Sequence, residues 1–153
     1  EAGFCLYGSD LDETTTPVEA ALDWTIPKAR RTGGERASGF FGAEVVLGQL
    51  ATGAARRRVG LRPEGRAPVR RGALLFRAAN ATTPVGIVTS GGFGPSLDAP
   101  ISMGYVSRDA GVPNTQLFAE VRGKRLPLTV SKLPFMPTHY KSLHSPQKGA
   151  NAC

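Results

Sequence analysis

The segment V-G-I-V-T-S at residues 85–90 follows Pro84 and is rich in β-branched side chains. Such side chains favour extended backbone, so the stretch predicts a short strand. It is followed at once by G-G-F-G-P at residues 91–95. Because this run of glycine and proline breaks regular structure, we predict a turn there. The run lacks the Lys-Ser/Thr of a phosphate-binding loop, so it predicts no nucleotide site.

Five other segments predict strands and lie between turns rich in glycine and proline. They span residues 56–61, 73–79, 101–106, 116–122 and 126–133. The last two flank Gly123-Lys124 and predict a hairpin. Six short strands separated by such turns predict a small barrel or sandwich.

The first third of the chain has helical spacing instead. Thr16 followed by Pro17 is typical of a helix N-terminus, and apolar residues recur at helical intervals from there to Ile26. A second helix is predicted over residues 42–52, with Gly53 as its stop. The sequence therefore predicts an α+β protein in which two helices precede a small β-barrel.

The composition is that of one globular domain of ordinary size. The 153 residues are 41% hydrophobic and 20% charged, with 19 glycines and 12 prolines. No apolar run approaches the roughly 20 residues that span a bilayer, which excludes a membrane-spanning protein. The composition also excludes collagen and a coiled coil. The first residue is Glu1, and we expect a processed or truncated chain.

Cysteine and histidine are scarce. Cys5 lies in an apolar run, where we expect a buried thiol, and Cys153 lies in a polar tail. Two cysteines are too few for a disulfide scaffold. The histidines are His139 and His144. Because a structural zinc site takes four such ligands, we predict no metal.

Arginine is concentrated in the first part of the strand-rich region, and the chain has a net charge of +7. The cluster consists of Arg56, Arg57, Arg58, Arg62, Arg66, Arg70, Arg71 and Arg77. Two interpretations stay open: a site for a polyanion or acidic protein, and the solvated outer face of strands. Residues 56–71 contain no aromatic side chain on which bases could stack, which disfavours nucleic acid.

Acidic and hydroxyl side chains give weak signals for catalysis. Asp10, Asp12 and Glu13 precede the first predicted helix, where carboxylates are more often caps than metal ligands or acid–base groups. Thr89 and Ser90 have no histidine near them in sequence, so a hydrolase triad is not predicted.

Two aromatic residues are candidates for ligand contact. Trp24 lies in the first predicted helix, where it would belong to the core or line a cavity. Tyr140 stands between His139 and Lys141, and an aromatic ring beside a cation suits a flat anionic ligand such as a pterin with a glutamate tail.

Six strings in order resemble the C-terminal portion of the aminomethyltransferase family, the T-proteins of the glycine cleavage system. They are E-A-G-F-C-L-Y-G-S-D-L-D (1–12), T-T-P-V-E-A-A-L-D-W-T-I (15–26), R-R-R-V-G-L (56–61), V-T-S-G-G-F-G-P-S-L (88–97), M-G-Y-V (103–106) and V-S-K-L-P-F-M-P-T-H-Y (130–140). The resemblance extends over residues 1 to about 143.

The resemblance implies a folate enzyme with three domains around a central cavity. Such enzymes transfer the aminomethyl carbon from the lipoyl arm of H-protein to tetrahydrofolate and release ammonia. It implies that residues 1–53 end the α/β folate-binding domain and that 54–143 form a Greek-key or jelly-roll barrel. The polar composition of residues 144–153 separately predicts a disordered tail.

The resemblance also implies roles for particular residues. Tyr140 corresponds to a folate contact, and Trp24 is expected in the same cavity. The catalytic aspartate of the family is expected upstream of Glu1, so Asp10 and Asp12 are not that residue and the chain alone is expected to be inactive. Arg56, Arg57 and Arg58 are expected to attract the acidic H-protein.

The remaining implications concern setting and partners. Tetrahydrofolate is expected as a substrate, without a metal, and the protein is expected to be a monomer that binds neither nucleic acid nor membrane. The compartment is expected to be the mitochondrial matrix in a eukaryote and the cytoplasm in a bacterium. An apolar face around Phe4, Leu6, Val18 and Leu22 is expected to be exposed and to lower solubility.

Two alternatives keep the fold and change the function. One is the folate-binding region of a dimethylglycine or sarcosine dehydrogenase. The other is a non-catalytic folate-binding domain, such as an iron–sulfur assembly factor, although the cysteine motif expected of that group is not seen in the sequence.

Overall fold

The computed structural model describes residues 1–137. Tyr140, His139, His144, Cys153 and the predicted tail 144–153 lie outside the described residues. One α-helix, α1, spans Ala43–Thr52, and single 3₁₀ turns span Asp23–Thr25 and Lys28–Arg30. The strands are β1 Arg56–Pro63, β2 Leu74–Phe76, β3 Gly86–Gly94, β4 Ala99–Ser107, β5 Gln116–Val121 and β6 Lys124–Ser131.

The strands form a closed antiparallel barrel in the order β1-β4-β3-β2-β5-β6. Since β1 and β2 are not neighbours, the connection between them crosses from one side of the barrel to the other, and so does the connection from β4 to β5. All six predicted strands are present, and the predicted small β-barrel in an α+β protein is confirmed. Closure pairs every strand on both sides, which removes exposed sheet edges.

Inward-facing aliphatic side chains from all parts of the barrel fill its interior. The fully enclosed ones include Leu61, Leu75, Leu117 and Leu128, one from each of four strands. Burying each side chain of this size contributes about 1.5–3 kcal/mol to folding. The barrel therefore has its own hydrophobic core.

The predicted hairpin at residues 123–124 joins β5 to β6. Val121 pairs with Lys124, which leaves Arg122 and Gly123 as a two-residue loop. Their φ angles are 51° and 73°. Positive φ at both positions is the signature of a type I′ turn, whose twist matches that of the flanking strands.

The turn predicted over residues 91–95 is wrong for 91–94, and only Pro95 lies in the turn that follows β3. Residues up to Gly94 belong to β3 and pair with β4. A Cβ at Gly91 would collide with the Val69 carbonyl oxygen and lie 2.6 Å from Ser102 Oγ. Glycine is therefore needed here because another backbone segment approaches the strand closely, not because the chain reverses.

The first predicted helix stops after one turn. Thr16 and Glu19 form a reciprocal capping box, with the Thr16 amide donating to Glu19 Oε2 and the Glu19 amide donating to Thr16 Oγ1, each at 3.1 Å. The Ala20 amide donates to the Thr16 carbonyl, but Ala21 has a φ of 56°. A left-handed residue ends a helix, so the N-cap prediction was right and the helix prediction was wrong.

The second predicted helix is confirmed as α1, which Gly53 ends with a φ of 87°. Val46 of this helix packs with Val18, Ile26 and Ala54 in a second small core. Val18 is therefore buried, contrary to the expected exposure. No helix within residues 1–137 is long and apolar enough to cross a membrane.

Candidate functional site

Arg58 joins the barrel to the N-terminal segment. Its side chain is only 4% exposed. Nε donates to the Ala20 carbonyl at 2.9 Å, and Nη1 donates to the Gly3 carbonyl at 2.9 Å and lies 3.0 Å from Met103 Sδ. The Arg58 amide also donates to the Glu19 carbonyl at 2.7 Å. The guanidinium therefore makes its contacts with groups of this chain and is not exposed to an external partner.

Arg56 and Arg57 are exposed but paired with acids of the same segment. Arg56 forms an ion pair with Glu19 at 3.2 Å, and its guanidinium lies 4.9 Å from the centre of the Tyr105 ring. Arg57 forms an ion pair with Asp23 at 3.1 Å. The start of β1 is therefore attached to residues 1–30 by three consecutive arginines.

A buried polar network underlies the same junction. Asp10 is 2% exposed, and its carboxylate accepts hydrogen bonds from the Leu6 amide at 3.0 Å and from Thr89 Oγ1 at 2.5 Å. The Tyr105 hydroxyl donates to the Asp10 carbonyl at 2.7 Å. A β-bulge at Thr89, where the β3–β4 register shifts, directs that side chain toward Asp10.

Burial changes the acidity of two groups in this region. Loss of hydration raises the pKa of Tyr105 to about 12, and it also raises the pKa of the Cys5 thiol. Cys5 is partly buried, close to the expected environment. Both groups therefore stay protonated at neutral pH.

Asp12 closes a local turn ahead of the helical turn and is not its cap, since Thr16 and Glu19 form the capping box. Its Oδ1 accepts hydrogen bonds from the Thr14 amide at 2.9 Å and from the hydroxyls of Thr14 and Thr15 at 2.7 and 2.9 Å. These donors lower the pKa of the Asp12 carboxyl. Within residues 1–137, no three His, Cys, Asp or Glu residues are grouped as metal ligands would be.

Trp24 is 72% exposed, so it is not a core residue. It lies on the 3₁₀ turn Asp23–Thr25 and borders a depression that it shares with Arg57, Lys132 and Leu133. An exposed indole beside two cations is a surface that a flat or anionic group could contact.

A second groove, of about 420 Å³, lies between the N-terminal segment and β3. Phe4, Phe93, Met103 and Phe135 supply apolar walls. Phe4 is 70% exposed and Leu6 is 64% exposed, which confirms the expected exposure of these two residues. The structure thus gathers exposed aromatic side chains on the side of the barrel that the N-terminal segment covers.

The buried network was not predicted from sequence. Asp10 and Thr89 are 79 residues apart, and Asp10 and Tyr105 are 95 apart. Because neither pair lies on one helix face or one strand, the periodicity of the sequence cannot predict either contact.

These features define a class: β-barrel modules with a built-in N-terminal segment and an exposed, aromatic-lined face. A family model described as the glycine cleavage T-protein C-terminal barrel domain matches residues 56–136. The chain belongs to this family.

Named relatives agree with the family match. Mitochondrial aminomethyltransferase from Gallus gallus is 49% identical over 140 residues, 92% of this chain and 34% of the relative. The Homo sapiens enzyme of the same name is 48% identical over 143 residues, 94% of this chain and 34% of the relative. The chain spans about a third of the length of these relatives.

A solved structure shows the same fold at similar identity. The glycine cleavage system aminomethyltransferase T from Bartonella henselae matches with a TM-score of 0.78 and 49% identity, covering 88% of this chain and 36% of that one. The recognised strings therefore reflect family membership along most of the chain.

Proposed function

We propose that this chain is the C-terminal third of an aminomethyltransferase of the glycine cleavage system. The observation that carries the proposal is the 49% identity to proteins of that name over nine-tenths of the chain, together with the family match over the barrel. The reaction moves the carbon of an aminomethyl group from a lipoyl sulfur on H-protein to tetrahydrofolate. The C–S and C–N bonds break, ammonia and a free lipoyl thiol leave, and 5,10-methylenetetrahydrofolate forms.

The proposed contribution of this chain is to position substrate. The groove beside Phe4 and Phe135 provides apolar surface for a flat pterin, and Trp24, which borders a separate depression, is proposed as a second contact. Tyr140, outside the described residues, is proposed as a further folate contact. Positioning alone can lower a barrier substantially when two reactants are held together. The carboxylates of Asp10 and Asp12 are already bonded within the chain, so we assign the catalytic aspartate to another part of the whole protein.

The proposed partner is the lipoyl H-protein, and Arg56 and Arg57 at the start of β1 are the exposed cations that would face it. Arg58 is omitted because it is buried. We propose the division 1–53, 54–143 and 144–153 for the chain, and the mitochondrial matrix as the location in a eukaryote, or the cytoplasm in a bacterium. The relatives named as mitochondrial support the first of these locations.

A chimera tests the proposal. Residues 1–143 replace the corresponding C-terminal third of the Homo sapiens enzyme, and ammonia release is measured with lipoyl H-protein and tetrahydrofolate. Activity that requires both substrates is expected. A chimera that melts cooperatively, binds H-protein and yet transfers no carbon would overturn the proposal, because the fold would then be present without the function.

A further inference from the structure

A basic groove lies away from the Trp24 face. It is formed by the segment that precedes β2 and by the β5–β6 hairpin, and its volume is about 810 Å³. Arg70 and Arg71 line it from the first segment, and Arg122 and Lys124 line it from the hairpin. It shares no lining residue with the depression beside Trp24.

The charges in this groove are not neutralised by neighbouring acids. All four cationic side chains are exposed, and within residues 1–137 no carboxylate forms an ion pair with any of them. Arg71 donates a hydrogen bond to Ser9 Oγ at 2.9 Å. Glu120, the acid in the lining, is already paired with Arg125 at 2.8 Å.

The backbone holds two of these cations in place. Arg122 occupies the first position of the type I′ turn with a φ of 51°, where glycine or asparagine would be less strained. Lys124 begins β6 and pairs with Val121. A two-residue turn between paired strands has little freedom, so both side chains project from a fixed point.

The part of the chain that contains the barrel is also positively charged as a whole. Residues 54–153 contain fifteen basic and four acidic residues, whereas residues 1–53 contain four basic and eight acidic ones. The acids of the N-terminal segment pair with Arg56 and Arg57, whereas the acid in the lining of this groove, Glu120, pairs with Arg125. The barrel is therefore basic overall, and within residues 1–137 the four cations of the groove keep their charge without an ion-pair partner.

We propose that this groove docks an acidic segment of a partner protein. Three arginines match carboxylates in planar, two-point geometry, which lysine alone would not favour. Pro68, Val121 and Leu126 add apolar contact area among the cations, as at many protein interfaces. None of the described lining residues is aromatic, so bases of a nucleic acid have nothing to stack on.

The test uses fluorescein-labelled decaglutamate and the 153-residue chain in a fluorescence-anisotropy titration at low salt. The double variant Arg70→Gln/Arg122→Gln is expected to bind about tenfold more weakly than wild type. Lys28→Gln/Arg36→Gln is the matched control, because both are exposed outside the groove and the net charge falls by the same amount. It is expected to bind like wild type.

Two results would overturn the proposal. Equal weakening in both double variants would show that only net charge matters. Tighter binding of an oligothymidylate of the same charge than of decaglutamate would show that the groove takes phosphate rather than carboxylate. The single variant Lys124→Gln, with its fold checked by thermal melting, provides a second measurement should the double variant unfold, and its binding is expected to weaken too.

Discussion

Arg58 Nε donates a hydrogen bond to the carbonyl oxygen of Ala20 at 2.9 Å, and this contact attaches the barrel to a segment 38 residues earlier in the chain. The same Ala20 precedes the left-handed Ala21, which ends the single helical turn. Ending the helix leaves the Ala20 carbonyl free to accept from outside. The early end of the first predicted helix and the burial of the Arg58 side chain are therefore one structural feature.

Replacing Arg58 with methionine is expected to destabilise the chain by about 2–4 kcal/mol, because the carbonyls of Gly3 and Ala20 lose a charged, buried donor. The free energy of unfolding is measured by urea titration. Arg57→Met serves as control and should cost less than about 1 kcal/mol, since its ion pair with Asp23 is exposed. Equal losses in the two variants would contradict the structural role of Arg58.

Gly91→Ala is expected to cost about 1–3 kcal/mol, because the added Cβ collides with the Val69 carbonyl oxygen. Gly92→Ala is a matched control one residue away, where a Cβ meets no atom within 4 Å. Thermal melting of both variants checks the prediction. If the melting temperature of Gly91→Ala equalled or exceeded that of Gly92→Ala, the close approach of Val69 to β3 would be refuted.

Thr89→Val is expected to lower stability by about 1–3 kcal/mol, because the buried Asp10 carboxylate loses its hydroxyl donor while the size of residue 89 stays nearly constant. Thr89→Ser keeps the hydroxyl and should retain most of the stability that Thr89→Val loses. Urea unfolding of wild type and of both variants measures these differences in stability. A serine variant no more stable than the valine variant would assign the effect to packing instead.

Arg57→Glu tests the proposed H-protein surface in the chimera. The reversal should weaken H-protein association at low salt by several-fold and flatten its dependence on salt, because rim charges act mainly through long-range attraction. The control is Arg66→Glu, an exposed arginine of the same cluster that is paired with Asp98. If the salt dependence matched wild type, Arg57 would be an ordinary solvated residue.

Much of the barrel could be predicted because its signals are local. The β-branched residues at 85–90 predict a strand, and Gly123-Lys124 between the segments 116–122 and 126–133 predicts the hairpin. The extension of β3 through Gly94 could not be predicted. Glycine is required at position 91 because the Val69 backbone approaches it closely, and this contact joins residues that are distant in sequence. The helix predicted over residues 17–26 failed for a similar reason, since the Ala20 carbonyl next to Ala21 accepts a hydrogen bond from Arg58, which is distant in sequence.

The candidate site could be predicted less well. Aromatic identity drew attention to Trp24, and its exposure fits a surface role rather than a core role. The arginine cluster is visible in the sequence, but buried Arg58 cannot be distinguished there from exposed Arg57, because Arg58 is buried by contacts with Gly3 and Ala20, which are distant in sequence. The role of Tyr140 stays a prediction.

Tyr105 should make stability depend on pH at the alkaline end. Its folded pKa is raised to about 12 from the ordinary value of 10.0, so the unfolded chain releases this proton first. The stability contributed by protonated Tyr105 is present below pH 10.0 and is lost as the pH rises toward about 12. The reason is physical: the phenol donates to the Asp10 carbonyl from a poorly hydrated site.

Tyr105→Phe removes both that hydrogen bond and the titration. Wild type should be more stable than the variant by about 1 kcal/mol at neutral pH, and the gap should shrink as the pH passes from 10.0 toward about 12. Urea unfolding at several pH values measures the gap, and the tyrosinate absorbance that wild type gains over the variant should have its midpoint near 12. A gap that stays constant over this range would mean that Tyr105 ionises equally easily in the folded and unfolded chain, and its burial against Asp10 would then be refuted.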